Sequence, residues 1–97
     1  MKYRYLGSSG LQVSATGLGC NNFGWRIDLE ASRRVVHKAL DLGITLLDTA
    51  DIYGARGGSE DCLGQILGDR RKDIVLATKF GMPMSDDGLK QGGSRAY

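Results

Sequence analysis

The sequence predicts an α/β fold built on a parallel sheet, and three observations carry that expectation. Two short apolar runs, "ITLL" at 44–47 and "IVLA" at 74–77, show none of the apolar–polar alternation of a half-exposed strand. That is the pattern of strands covered on both faces of a parallel sheet. A segment of helical period precedes each run, and the connections between segments are only a few residues long, which suits right-handed crossovers.

Composition permits such a fold and narrows the function. Of 97 residues, 41% are hydrophobic and 25% charged, as in ordinary globular domains. Thirteen Lys and Arg against eleven Asp and Glu leave +2. These charges are interspersed, so there is no basic stripe for a nucleic acid or an anionic membrane. No apolar run approaches the ~20 residues that span a bilayer, and "MKYRYLGSSG" lacks the apolar centre of a secretory signal. The chain is therefore expected in the cytoplasm. Cys20 and Cys62 lie far apart without clustered partners and read as reduced thiols, and the lone His37 reads as a helix-surface or boundary residue. No metal site is expected.

Taken in order, Lys2–Leu6 and Leu11–Val13 flank "GSSG" and should pair as a hairpin. A first parallel strand follows at Thr16–Gly19. Asp28 is placed to cap a helix with apolar positions Ala31, Val35, Val36, Ala39, Leu40 and Leu42, stopped by Gly43. The strand "ITLLDTA" comes next. Ser59 should cap a second helix, with Glu60 and Asp61 in its first turn and Leu63, Ile66 and Leu67 on its buried stripe. "RRKD" leads to the strand "IVLATKFG", and the glycine-rich remainder reads as a loop up to Ser94, a candidate cap for another helix. Three parallel strands with helices on one face would leave strand edges and an apolar face uncovered. The chain is thus expected to be part of a larger domain.

Functional groups of parallel α/β proteins gather where the strands end and their loops converge. Asp48 ends the second parallel strand, Tyr53 follows in its loop, and Lys79 ends the third. Adjacent strands lie ~4.8 Å apart, close enough for Asp48 to pair with Lys79 and for Tyr53 to fold over both. A lysine withdrawn from water needs a counter-charge, and a lysine cation beside a phenol favours the phenolate. Tyr53 would then serve as proton donor and acceptor. Singly, each residue has an ordinary reading: a turn aspartate, a half-buried aromatic, a solvated strand-end lysine.

"LLDTADIYG" and "ATKFG", with "GLGCNNFG" ahead of both, resemble the N-terminal third of the aldo-keto reductases along the whole chain. The resemblance implies a (β/α)8 TIM barrel, with residues 1–97 as the N-terminal portion of that domain and the hairpin plugging the barrel bottom. It implies a hydride passed between NADP(H) and an aldehyde or ketone, or the reverse oxidation of an alcohol, without a metal. Tyr53 would be the proton donor, Lys79 would tune it, and Asp48 would hold Lys79. Gly19, Cys20, Asn21 and Asp48 would line the nicotinamide end of the cofactor, with Trp25, Tyr53 and also Phe23 at the substrate pocket. A fourth catalytic residue, a histidine ending the family's fourth barrel strand, has no counterpart here, because His37 lies in the first helix. The 97 residues alone are expected to be inactive and poorly stable.

A Rossmann site is excluded because "GLGCNNFG" is not G-x-G-x-x-G and the loop before the next helix is too long. No P-loop or serine nucleophile elbow is present. The alternative from another class is a nucleotide-binding regulatory protein on the same barrel, such as a channel-associated subunit, with little turnover.

Overall fold

The computed structural model describes all 97 residues. An antiparallel hairpin, β1 (Tyr3–Tyr5) and β2 (Gln12–Ser14), opens the chain. The strands β3 (Gly17–Gly19), β4 (Leu46–Asp48) and β5 (Val75–Ala77) then form a parallel sheet in that order, with α1 (Leu29–Asp41) and α2 (Tyr53–Leu67) as the crossovers. A 3-10 stretch at Gly68–Asp73 links α2 to β5. No helix is long and apolar enough to cross a membrane.

The register sorts the sheet into two faces. Leu18, Leu47 and Leu76 stand opposite one another across the three strands and pack into a core with Val36 of α1 and Cys62, Leu63, Ile66 and Leu67 of α2. Side chains alternate along a strand, so the other face carries the rows Gly17–Leu46–Val75 and Gly19–Asp48–Ala77. Both helices lie on the leucine face. Leu47 is fully buried while Leu46 and Asp48 are half-buried, so β4 is covered on one face and not on both as its unbroken apolar run predicts.

α1 begins and ends by local chemistry. The Asp28 carboxylate accepts the Ala31 N–H at 2.8 Å, a cap worth about 1 kcal/mol. At the other end Ile44 N–H reaches the Ala39 carbonyl at 2.9 Å and Gly43 N–H the Leu40 carbonyl at 3.0 Å, with Gly43 at φ 89°. This is a Schellman stop, which needs a left-handed residue. The buried stripe runs through Ser32, Val36 and Ala39, whereas Val35 and Leu42 are exposed. Sequence period marked an apolar face wider than the one the neighbouring helix covers.

The hairpin is fastened to the N-terminal ends of the strands. Ser14 Oγ accepts from Thr45 N–H at 2.9 Å, Ser14 N–H donates to Thr45 Oγ1 at 3.0 Å, and Tyr3 OH donates to the Gly43 carbonyl at 2.9 Å. The strand-exit end of the sheet is left free.

α2 departs from the expected start at Ser59. Its span includes a left-handed turn, with Gly54, Ala55, Arg56 and Gly57 all at positive φ, before the right-handed helix continues. Ser59 makes no cap, because its hydroxyl is drawn into the core. The turn is pressed against the loop after β3. A Cβ at Gly54 would lie 2.4 Å from the Phe23 carbonyl oxygen and from Ser59 N, and one at Gly24 would lie 2.6 Å from the Gly58 carbonyl.

Two glycine substitutions in α2 should therefore move stability in opposite directions. Gly64 has open space at its Cβ position, so Gly64→Ala should raise stability by about 0.5 to 1 kcal/mol through helix propensity. Gly54→Ala should lower it by about 2 kcal/mol or more, since backbone must shift. Urea midpoints followed by circular dichroism read both, and equal effects would discount the tight approach of the two loops.

Candidate functional site

The parallel ladder continues past the strand ends and sets the site. Cys20 N–H donates to the Asp48 carbonyl at 2.9 Å, Thr49 N–H to the Ala77 carbonyl at 2.8 Å, and Asp51 N–H to the Lys79 carbonyl at 3.1 Å. These bonds draw the exits of all three strands together. Asp48 rises from the open face between Gly19, which has no side chain, and Ala77, which has a methyl group. The space beside its carboxylate is thereby left for the longer side chain of Lys79.

The Lys79 ammonium has three hydrogens and meets acceptors in three directions. Nζ lies 2.9 Å from each Asp48 carboxylate oxygen, 2.9 Å from the Thr49 carbonyl and 3.3 Å from Tyr53 OH, with the Tyr53 ring centroid 4.8 Å away. The hydrogen bond to Asp48 raises the Lys79 ammonium above its ordinary range, partial desolvation opposes this, and Tyr53 adds to the rise. Lys79 and Asp48 remain about half-exposed, at 49% and 48% of their side chains, so the pair orients groups more than it stabilises the fold. An ammonium can only donate, so Tyr53 oxygen is the acceptor in this contact. Its own hydrogen makes no bond within the chain and stays available.

Tyr53 also belongs to the wall of an open concavity of about 450 Å³ lined by Asn21, Trp25, Ile52, Tyr53, Gly54 and Ala55. Trp25 is 62% exposed and carries the Arg26 guanidinium 4.7 Å above its ring.

The Aldo/keto reductase family profile matches residues 15–97. The chain belongs to the aldo/keto reductase family. It is 42% identical to the L-glyceraldehyde 3-phosphate reductase of Escherichia coli K12 over 103 aligned positions, covering 100% of this chain and 30% of that protein. It is 41% identical over 99 positions to an uncharacterized oxidoreductase of Bacillus subtilis 168, again covering 100% of this chain and 31% of the relative. Among solved structures, the holo form of an aldo-keto reductase from Bacillus halodurans superposes at a TM-score of 0.83 with 42% identity, covering 100% of this chain and 32% of that one. The chain thus spans about 30% of the length of the curated relatives it matches. Its hairpin, three parallel strands and two helices correspond to the N-terminal part of an aldo-keto reductase TIM barrel, with the sheet unclosed.

Within this family frame the structure brings Asp48, Tyr53 and Lys79 into one contact group and gathers Asn21, Trp25 and Tyr53 around one concavity. Gly19 flanks Asp48 on the open face. Two residues of the expected site, Phe23 and Cys20, lie in the core. Phe23 is 3% exposed and belongs to the core, so it does not line the concavity. Cys20 is wholly buried, its N–H is spent on Asp48, and its carbonyl accepts from Ser59 Oγ at 2.7 Å and Phe23 N–H at 3.3 Å.

Residues the sequence did not single out also matter. The Thr49 carbonyl completes the Lys79 shell, and Arg56 ties the left-handed turn to Asp86 of the loop beyond β5 at 2.7 Å. A backbone acceptor and a long-range ion pair leave no signature in spacing. Asp51 keeps one buried carboxylate oxygen without a partner.

Burial pushes the Cys20 thiol up to about 11 from its ordinary 9.0. An acid whose folded value is raised stabilises the fold below its unfolded value, and that contribution is lost as pH rises through the folded one. The stability difference between the wild type and Cys20→Ala should accordingly be constant up to about pH 9 and shrink between pH 9 and 11. Urea unfolding across that range tests it, and a difference that widens there would contradict the burial of the thiol.

Proposed function

We propose that this chain carries the proton-transfer side of a carbonyl-reducing site, in which NADP(H) and an aldehyde or ketone meet over Tyr53. The observation that carries the reading is the Lys79 contact set. One ammonium donates to Asp48, to the Thr49 carbonyl and to the Tyr53 oxygen, leaving the Tyr53 hydrogen for a group in the concavity.

The chemistry follows from those contacts. Tyr53 donates its proton to the carbonyl oxygen as negative charge develops there, and the carbonyl carbon receives a hydride. The hydride is what NADP(H) supplies when bound. Lys79, already donating to the phenol oxygen, stabilises the phenolate left behind, while Asp48 keeps the ammonium charged and aimed. In the reverse direction the phenolate takes the alcohol proton back. An exposed amide and a half-exposed carboxylate supply a donor and an acceptor that suit a nicotinamide riboside. Asn21 is exposed and carries an amide, and Asp48 is half-exposed, with lone pairs beyond those facing Lys79. Asn21 and Asp48 would hold that end of the cofactor, with Gly19 giving clearance and Trp25 bordering the substrate.

In the complete polypeptide that carries residues 1–97, Tyr53→Phe should lower kcat for a generic aldehyde by about 10²- to 10⁴-fold while the Kd for NADPH, followed by fluorescence, is preserved. Near-wild-type kcat would remove Tyr53 from the mechanism. Tight nucleotide binding with no turnover in the wild type would favour the regulatory alternative. Residues 1–97 assayed alone should show no NADPH oxidation with aldehyde, because proximity between hydride donor and carbonyl demands groups beyond this segment.

A further inference from the structure

Ser59 is wholly buried yet serves neither as a helix cap nor as a group at the concavity. Its hydroxyl lies 2.7 Å from the Cys20 carbonyl and 2.8 Å from Thr49 Oγ1. A hydroxyl has one hydrogen and a carbonyl can only accept, so Ser59 donates to Cys20 and Thr49 must donate to Ser59. The relay has a single direction, from Thr49 through Ser59 to Cys20.

Both ends of this relay hold Asp48. Cys20 N–H binds the Asp48 carbonyl at 2.9 Å. Thr49 follows Asp48 in the chain, and its own carbonyl takes one Lys79 hydrogen at 2.9 Å. The three hydrogens of an ammonium are tetrahedrally arranged, so fixing two directions fixes the third. The Asp48 carboxylate, with both oxygens at 2.9 Å, and the Thr49 carbonyl at 2.9 Å set the orientation of the ammonium, and the Tyr53 oxygen is its longest contact at 3.3 Å.

Resting on the carbonyl-reduction reading above, we propose that Ser59 is a positioning residue for the site, holding Thr49 and Cys20 so that Lys79 is aimed at the Tyr53 oxygen. Ser59 touches no reacting group. It acts from the core side of the sheet, through two backbone segments that bracket Asp48.

The test uses the complete polypeptide with Ser59→Ala, Thr49→Val and the pair combined. Misaiming by a fraction of an ångström should lower kcat by about tenfold to a hundredfold with the Kd for NADPH unchanged. Lys79, followed through its 13C-labelled Cε, should titrate closer to an ordinary lysine in each variant than in the wild type. Thr49→Val breaks the relay at its start, so the double variant should lose no more than the worse single one. An unchanged Lys79 titration in both single variants would overturn the proposal, as would kcat losses that add in full. If Ser59→Ala does not fold, Thr49→Val decides on the same two readouts. A wild type without turnover would defeat the functional reading, while the Lys79 titration would still decide whether Ser59 aims the ammonium.

Discussion

One ammonium group, held between a carboxylate, a backbone carbonyl and a phenol oxygen, organises the exit end of this sheet. Lys79 reaches Asp48, the Thr49 carbonyl and Tyr53 only because β4 and β5 keep their register beyond their last ladder pair, through the Thr49–Ala77 and Asp51–Lys79 backbone bonds. A slip of one residue would turn every side chain of β5 to the opposite face, sending Leu76 out of the core and Lys79 towards α2. Core packing and site geometry therefore enforce the same register, and the row Leu18–Leu47–Leu76 aligns the Asp48, Lys79 and Tyr53 contact group as well as the fold.

The second constraint is the close approach of two loops. Gly24, Gly54 and Gly58 let the backbone after β3 touch the backbone after β4, which brings Asn21 and Trp25 to the concavity beside Tyr53. The contact requires a left-handed turn in which Ala55 and Arg56 also adopt positive φ, a conformation that costs roughly 1–2 kcal/mol for each non-glycine residue. Arg56 is bound to Asp86 and Ser59 to Cys20 and Thr49, so both flanks of the strained segment are anchored.

Much of this was readable from residues whose effect is local. Asp28 caps its helix, Gly43 stops it, "GSSG" turns the hairpin, and the runs around Leu47 and Leu76 become parallel strands with Asp48 and Lys79 at neighbouring exits. The rest depends on partners distant in sequence. Val35 and Leu42 fit the helical period but are exposed, because only one neighbouring helix covers α1. Phe23 could be read as a pocket or a core residue, and the contacts of α2 assign it to the core. Ser59 has the type and place of a cap, yet the left-handed turn ahead of it supplies a different entry and frees its hydroxyl for the interior. Nothing in the residue types of Ala55 and Arg56 announces that turn.

The strained turn also separates the fate of the site from that of the scaffold. A few kcal/mol held in Ala55 and Arg56 is a sizeable share of the 5–15 kcal/mol that keeps an ordinary domain folded, and it is released as soon as the contact with the Phe23–Gly24 loop loosens. The least costly excursion of the native state is accordingly a partial one, in which the sheet and both helices persist while Tyr53 swings away from Lys79. Heat, denaturant or a remote destabilising change would open the Tyr53–Lys79 contact before it melted the structure, and a far-ultraviolet spectrum would not register the loss.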